Sequence, residues 1–449
     1  MTITPQLRVS EAEPSPIVRD FGLYAEFLCN NRMTLTPKSQ YLAKKPLYQI
    51  NQLMTTYVTA DNPNYDQHSY PLLHLFYHLA LAGRLFRKAQ SKGGRFELQP
   101  TERYSIYQNL KPAEKYFFLL ETLWIDVDWK DINPAWSRDE AGLNIGQAFK
   151  FVSQQQPDRV ITVNASKNEL LKNLFDRLGR HILNLSFYGF WRVTRDEEAT
   201  GILYSKYDFR VATLTPSKFG VALAGILATA RNLPYWNVPN RRGYGETGVI
   251  PGSPLPSQNT YRQVQKMIRE IQTGKKARIN KKVQPVYKEE PFILPFTAFF
   301  APGELETTLP REQAKTDGNY TFKVSLDKKT WRRVVLSAQH TLEDLHLIIQ
   351  EAFAFNDDHL YCFFLDGKRW SHNAYYSPDD DQGPYVNKVR IGELGLEPGQ
   401  EILYLFDYGD EWCFKVLLEG KVVEGPRLLK PVVTDRKGEA PDQYPLWDE

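Results

Sequence analysis

The clearest hydrophobic pattern lies toward the C-terminal end. Tyr320, Phe322, Val324 and Leu326 are apolar at every second position, which predicts a half-buried strand. Asp327-Lys328-Lys329 reads as a turn, and Trp331 to Leu336 returns as the hairpin partner. Thr341 with Asp344 three residues on has the pattern of a capping box, after which Leu342, Leu345, Ile349, Ala352 and Phe353 share one helix face. Further strands are predicted from Leu360 to Leu365, ending in the Asp366-Gly367 turn, and over Ile402 to Phe406 and Trp412 to Leu418, joined through Asp407 to Glu411. Residues 318–449 therefore read as an α+β domain, an antiparallel sheet packed on one principal helix, with a C-terminal tail.

Upstream the period changes from two to that of a helix. Residues 1–20 carry Pro5, Pro14 and Pro16 and read as a loose arm. Thr36-Pro37 has the form of a helix cap followed by proline at the first helical position, with Leu42, Leu47, Ile50 and Leu53 at helical spacing afterwards. Pro71 opens an apolar helix through Leu72, Leu73, Leu75, Phe76, Leu79 and Leu81 that stops near Gly83, and Gly93-Gly94 turns into a strand at Arg95 to Leu98. This order of helices and a short strand is that of a winged-helix unit. It recurs: Phe187 to Val193 reads as a strand, Asp196 to Gly201 as a turn, Ile202 to Leu214 as a strand, and Thr215-Pro216 as a second cap-plus-proline start for the helix Phe219 to Ala230. Residues 21–274 are thus a mainly α region with winged-helix-like segments, or a plain helical scaffold with hairpins, divisible near residue 150 into 21–150 and 151–274.

A break follows. Asn232 to Pro256 is rich in glycine and proline, a short helix is predicted from Thr260 to Thr273, and Lys275 to Lys282 places five basic residues in eight positions. Pro285, Pro291, Pro295 and Pro302-Gly303 come next, so residues 275–317 read as a basic, proline-rich linker.

Composition narrows the class. A chain of 449 residues with 42% hydrophobic content can bury more than one core, and a net charge of +3 gives no global field for polyanions. Local clusters must supply any such site. Cys29, Cys362 and Cys413 are too few and too scattered for a disulfide scaffold or a zinc site. The N-terminus lacks a signal-peptide pattern, and the apolar run at Phe219 to Ala230 is too short to span a bilayer. A cytoplasmic protein with no membrane partner is expected.

The C-terminal module resembles the plasmid pRiA4b ORF-3-like family, a transposon passenger-type domain. The resemblance rests on Tyr320-Thr-Phe-Lys-Val, Trp331-Arg332, the helix stretch Thr341 to His346, the cluster Asp358-His359-Leu360-Tyr361-Cys362-Phe363, and Tyr404 to Trp412. It implies a compact α+β prokaryotic fold, often linked to mobile elements, and no settled activity. Many relatives have a histidine where this chain has Tyr361 and another where it has Cys413-Phe414, so a site needing those imidazoles is incomplete here.

Two functional readings follow. In the first, the protein is non-enzymatic and associates with nucleic acid or with another protein, using Arg241, Arg242, Lys275, Lys276, Arg278, Lys281 and Lys282 against phosphates. No cofactor is expected under it. In the second, Asp358, His359, Asp407 and Asp410 converge as catalytic groups of a metal-dependent hydrolase or nuclease, with His359, Asp407 and Asp410 holding a divalent cation. The competing structural reading makes Asp407 to Asp410 a tight turn, with Gly409 supplying a positive φ. Asp379-Asp380-Asp381 reads as a solvated loop. His74 and His78 have the spacing of two zinc ligands but no glutamate beside the first and no evident third ligand, which favours satisfied structural histidines.

Overall fold

The computed structural model of the chain describes residues 6–37, 39–59, 63–90, 95–133, 141–164, 169–198, 209–243, 246, 249–255, 290–310, 318–371, 373–396, 398–422 and 428–444. They form two compact units, one comprising Met1–Phe86, Leu98–Arg241 and Val249–Leu309, the other Arg87–Glu97, Arg242–Gly248 and Pro310–Glu449. The predicted helix Thr260 to Thr273 and the basic run Lys275 to Lys282 lie outside the described residues.

The N-terminal region repeats one topology. It opens with α1 (Ile17–Asn30), β1 (Met33–Thr34), α2 (Lys44–Asn51), α3 (Pro71–Ala82), β2 (Phe86–Gln90) and β3 (Phe96–Pro100), whose strands pair in the order β1-β3-β2. After α4 (Glu102–Gln108) and α5 (Pro112–Ile125) the same series returns as α6 (Ala141–Val152), β4 (Ile161–Thr162), α7 (Glu169–Leu178), α8 (Arg180–Ser186), β5 (Trp191–Arg195) and β6 (Val211–Pro216), again with the first strand beside the last, β4-β6-β5. Helix, strand, two helices and a hairpin, with that strand order, is the winged-helix arrangement, present here twice.

Between the repeats, α5 is buried on almost every side. Its polar atoms are matched: Tyr116 Oη donates to the Tyr188 carbonyl at 2.7 Å, and Tyr188 Oη donates to the Leu119 carbonyl at 3.0 Å. Asn237 Nδ2 donates to the carbonyls of Trp124 and Val127 at 3.0 and 2.9 Å. A helix buried this completely is stable because each buried polar group has a partner.

Three local expectations are corrected. Thr36 does not cap a helix; its hydroxyl accepts from the Tyr41 amide at 3.1 Å and closes a turn, and the helix begins at Lys44. Thr215 and Pro216 belong to β6, and the cap of the next helix, α9 (Lys218–Ala228), is Ser217, whose hydroxyl accepts from the Gly220 amide at 2.8 Å; two short helices, α10 (Leu233–Trp236) and α11 (Val238–Gly243), follow it. Residues 290–309 are not linker. Phe292, Phe296 and Phe300 are buried in the first unit, where Phe296 meets the Phe117 ring at 5.1 Å. Apolar residues between the prolines decide this segment: Pro295 sits in the first turn of a short 3₁₀ helix, Leu294–Phe299.

The second unit is built on a seven-stranded antiparallel sheet. Its strands are β7 (Asn319–Ser325), β8 (Trp331–Ser337), β9 (Tyr361–Phe364), β10 (Ala374–Tyr376), β11 (Glu401–Phe406), β12 (Trp412–Val422) and β13 (Val432–Lys437), in the order β10-β9-β11-β12-β7-β8-β13. The principal helix, α12 (Leu342–Phe353), starts at a true capping box: Thr341 Oγ1 accepts from the Asp344 amide at 3.1 Å and Asp344 Oδ2 accepts from the Thr341 amide at 2.7 Å. Leu345, Ile349 and Phe353 of α12 share one core with Phe322, Val324, Val334, Leu336, Tyr404, Phe414 and Val416 of the sheet. All four residues of β9 are buried because a smaller cluster, Cys362, Phe364, Ala374 and Leu405, covers the opposite face. Among the described residues no helix is long and apolar enough to cross a membrane.

Candidate functional site

The two acidic motifs of the C-terminal unit meet at one end of the sheet, where β11 closes on β12 through Asp407 to Glu411, with Phe406 opposite Trp412. Asp407 Oδ1 accepts from the amides of Gly409 at 2.9 Å and Asp410 at 3.3 Å, and the Glu411 amide donates to the Asp407 carbonyl at 2.7 Å. This is an aspartate-closed turn. The left-handed positions are Asp407 at φ 57° and Glu411 at φ 51°, not Gly409, which corrects the expectation for that glycine.

Three of the four candidate side chains come together. His359 Nε2 lies 3.4 Å from Asp407 Oδ2, 3.9 Å from Asp358 Oδ1 and 3.1 Å from Tyr444 Oη. Asp358 accepts from Tyr444 Oη at 2.7 Å and from Gln443 Nε2 at 3.0 Å. Those bonds, that of Tyr444 first, hold the Asp358 carboxyl below the usual carboxylate range, and the same bond pushes the Tyr444 phenol up to about 12. Asp410 enters through its backbone amide. Among the described residues no group of three or more His, Cys, Asp or Glu is arranged to hold a metal ion.

A second network, deeper in the core, has no counterpart in the sequence reading. His346 on α12 is fully buried and its ring lies flat on Tyr361, centroids 3.5 Å apart. Gln350 Nε2 donates to Tyr404 Oη at 2.7 Å, so the Tyr404 hydroxyl proton turns to His346 Nδ1 at 2.7 Å. That order of donors leaves His346 Nε2–H to donate to Asp357 Oδ1 at 2.9 Å. Burial pushes the imidazole down to about 4, outweighing the attraction of Asp357. His346 is therefore neutral near pH 7, and the contact with Asp357 is a hydrogen bond to a carboxylate rather than an ion pair.

In the N-terminal unit the winged-helix comparison turns on the third helix of each repeat, which in that architecture carries base recognition. Here α3 and α8 pack on each other, and neither has an exposed side chain. An Arg180 guanidinium nitrogen donates to the His68 carbonyl, and burial, then Arg180, pushes the buried His181 imidazole down to about 3. The spacing of His74 and His78 belongs to the same packing. His74 is engaged at both nitrogens, by Gln67 Nε2 at 3.2 Å and the Asp131 carbonyl at 2.9 Å, and its ring lies between those of His68, to which it is tilted, and His78, which it meets edge-on.

The basic candidates divide. Arg241 is buried, and its guanidinium donates to the carbonyls of Tyr235, Ile250 and Ser253 at 2.7, 3.1 and 2.9 Å. It organises a loop and does not face a polyanion, which corrects its assignment. Arg242 is half-buried, while Lys275, Lys276, Arg278, Lys281 and Lys282 lie outside the described residues. A basic segment was missed instead: from Arg84 to Arg95 the chain carries Arg84, Arg87, Lys88, Lys92 and Arg95 and no acidic residue. Its described part belongs to β2 and the approach to β3, the wing of the first repeat, where Arg87 and Arg95 are exposed and Glu97 on β3 is acidic; Lys92 lies outside the described residues. The signal was available as a charge run placed on a hairpin.

Residues 319–443 match the model of the plasmid pRiA4b ORF-3-like protein family, so the C-terminal module has the resemblance its motifs suggest. A crystal structure of a protein of unknown function from Methanosarcina mazei Go1 is similar at 25% sequence identity, covering 28% of this chain and 71% of that one, with a TM-score of 0.24. No curated protein matches the chain.

Proposed function

We propose that this chain is a non-enzymatic, nucleic-acid-associated protein that contacts the phosphate backbone through the wing of its first winged-helix repeat. The observation that carries the reading is the run from Arg84 to Arg95, five cations before the first carboxylate at Glu97, which places the exposed Arg87 and Arg95 on the element that winged-helix proteins lay against a duplex. The mutual burial of α3 and α8 supports backbone association without base reading. A mobile-element setting, implied by the C-terminal resemblance, belongs with the same reading. The hydrolase alternative has weaker support, because Asp407 Oδ1 is taken up by turn amides and Asp358 by Tyr444 and Gln443.

The test is anisotropy of labelled duplexes of unrelated sequence, titrated with the full chain between about 50 and 200 mM salt. Binding is expected to be similar across sequences and to weaken steeply with salt. The double change Arg87→Gln/Arg95→Gln should weaken all duplexes alike and flatten the slope of log affinity against log salt by about 2, one for each lost phosphate contact. No binding at the lowest salt, or a slope unmoved by the double change, refutes it.

A further inference from the structure

The C-terminal sheet carries, beside β10, a cleft of about 310 Å³ that the nucleic-acid reading does not use. Trp370, Tyr376, Tyr408 and Leu360 line it, and Asp379, Asp380 and Asp381 stand at its rim. The volume is at the lower end of small-ligand sites and suits one or two side chains rather than a folded surface.

The aromatic wall is held in place from beneath. Tyr376 and Tyr408 pack against the buried cluster of Cys362, Phe364, Ala374 and Leu405. Tyr408 Oη donates to Asp380 Oδ2 at 2.8 Å, and the Trp370 ring meets the Tyr408 ring edge-on at 5.7 Å. Trp370 itself is 53% exposed. An indole left open to water beside two supported phenols is costly for a side chain whose usual contribution is burial.

No described side chain balances the charge at the rim. Asp380 is occupied by Tyr408 and by the Gln382 amide at 2.9 Å, as a solvated turn requires. That accounts for Asp380 but not for the neighbours: among the described residues no Lys, Arg or His side chain pairs with Asp379, Asp380 or Asp381. Arg369, next to the tryptophan, is turned away to Glu411 at 2.6 Å and to Cys413 Sγ at 2.9 Å. The negative field reaches further, since Glu343 is raised by burial and then by Asp344 and Asp357, with Lys388 opposing and Asp379 adding to the rise.

We propose that this cleft binds a cationic side chain, the lysine or arginine of a basic peptide, with its charge over the Trp370 and Tyr408 rings and its donors toward Asp379 and Asp381. The aromatic faces offer cation–π attraction and the unbalanced carboxylates offer charge-assisted hydrogen bonds. No residue of the basic wing lines the cleft, so either reading can fail without the other.

The test uses the full chain and fluorescently labelled hexalysine and hexaarginine, with hexaglutamate as control, read by anisotropy at low salt. Trp370→Ala is the deciding variant, because it leaves the net charge unchanged. Its affinity for whichever basic peptide binds should fall about tenfold, while Asp379→Asn/Asp381→Asn should fall at least as much. Circular dichroism confirms that each variant is folded, and the carboxylate pair carries the test if Trp370→Ala is not. Undiminished peptide binding by a folded Trp370→Ala protein would reduce the effect to general electrostatic attraction and overturn the proposal, as would failure of both basic peptides to bind.

Discussion

Acidification should loosen α12 from the sheet, and His346 is the reason. In the folded chain this imidazole takes a proton only near pH 4, whereas unfolded it does so near about 6.5. Between those values the unfolded chain holds more protons than the folded one, so lowering the pH favours unfolding. The stabilisation is complete above about pH 6.5 and is lost as pH falls toward 4. A gap of about two and a half pH units corresponds to about 3 kcal/mol. That figure already includes the half-exposed Asp357, which stabilises the cation and opposes the burial. The readout should be local, because a chain of two units need not unfold in one step. Hydrogen exchange of the Leu342–Phe353 amides, followed from pH 7 to pH 4.5 and corrected for intrinsic exchange, reports the opening of this helix. His346→Phe keeps a flat ring over Tyr361 but cannot titrate; it should be less protected at pH 7 by about 1–2 kcal/mol, from the lost hydrogen bonds. Its protection should then change little on acidification, so that the two proteins converge. Parallel pH curves would refute the reasoning, since the titrating group would then lie elsewhere.

Two further substitutions probe the architecture. Asp407→Ala removes the acceptor of two turn amides and should lower stability by about 1–2 kcal/mol, while Asp407→Asn keeps an acceptor and should lie closer to the parent; equal losses in thermal melts would mean that the contact with His359, not the turn, dominates. Gly220→Ala should cost about 3 kcal/mol, because a Cβ there would lie 1.8 Å from the Phe190 carbonyl oxygen, which is backbone and cannot swing aside; an unshifted melting temperature would show that the Phe190 backbone does not approach α9 this closely.

The C-terminal module was readable because its signals are local and agree with one another. Strict alternation in β7, the capping box at Thr341 and the Asp366-Gly367 turn each point to the same element boundaries. β10 and β13 were not foreseen. Ala374–Tyr376 is too short to show a period, and Val432–Lys437 is an edge strand whose charged residues suppress alternation. In the N-terminal region Pro71 and Gly83 marked α3 correctly, whereas the threonine-proline pairs misled. A cap is defined by what the hydroxyl accepts from: Ser217 takes the amide three residues on and Thr36 the amide five residues on, a difference that the residue types alone do not disclose. α5 was passed over for a related reason: with apolar residues all round it has no amphipathic stripe to detect. The candidate site was legible as a set of residues and not as a geometry. His346 joins Asp357 and Tyr404 across helix, loop and strand, and nothing in the spacing of those three residues announces it.

The repeated topology bears on function through burial. A winged helix reads bases when its third helix is free to enter a groove, and such a helix needs polar or basic side chains on an open face. Here α3 is Leu-rich, and its polar residues His74 and His78 belong to a cluster of tilted and edge-on histidine rings. The side chains that make α3 a good core helix unfit it for a groove even if α8 were removed, because exposing Leu72, Leu75 and Leu79 would forfeit burial worth about 2 kcal/mol each. Separation of the repeats is therefore not a route to sequence recognition. What the first repeat leaves exposed on its wing are Arg87 and Arg95, which under the proposed function meet phosphates without any rearrangement of α3. Under the proposed function, the exposed Arg87 and Arg95 and the apolar character of the helix preceding them therefore lead to one mode of contact, directed to the backbone of a nucleic acid and indifferent to its sequence.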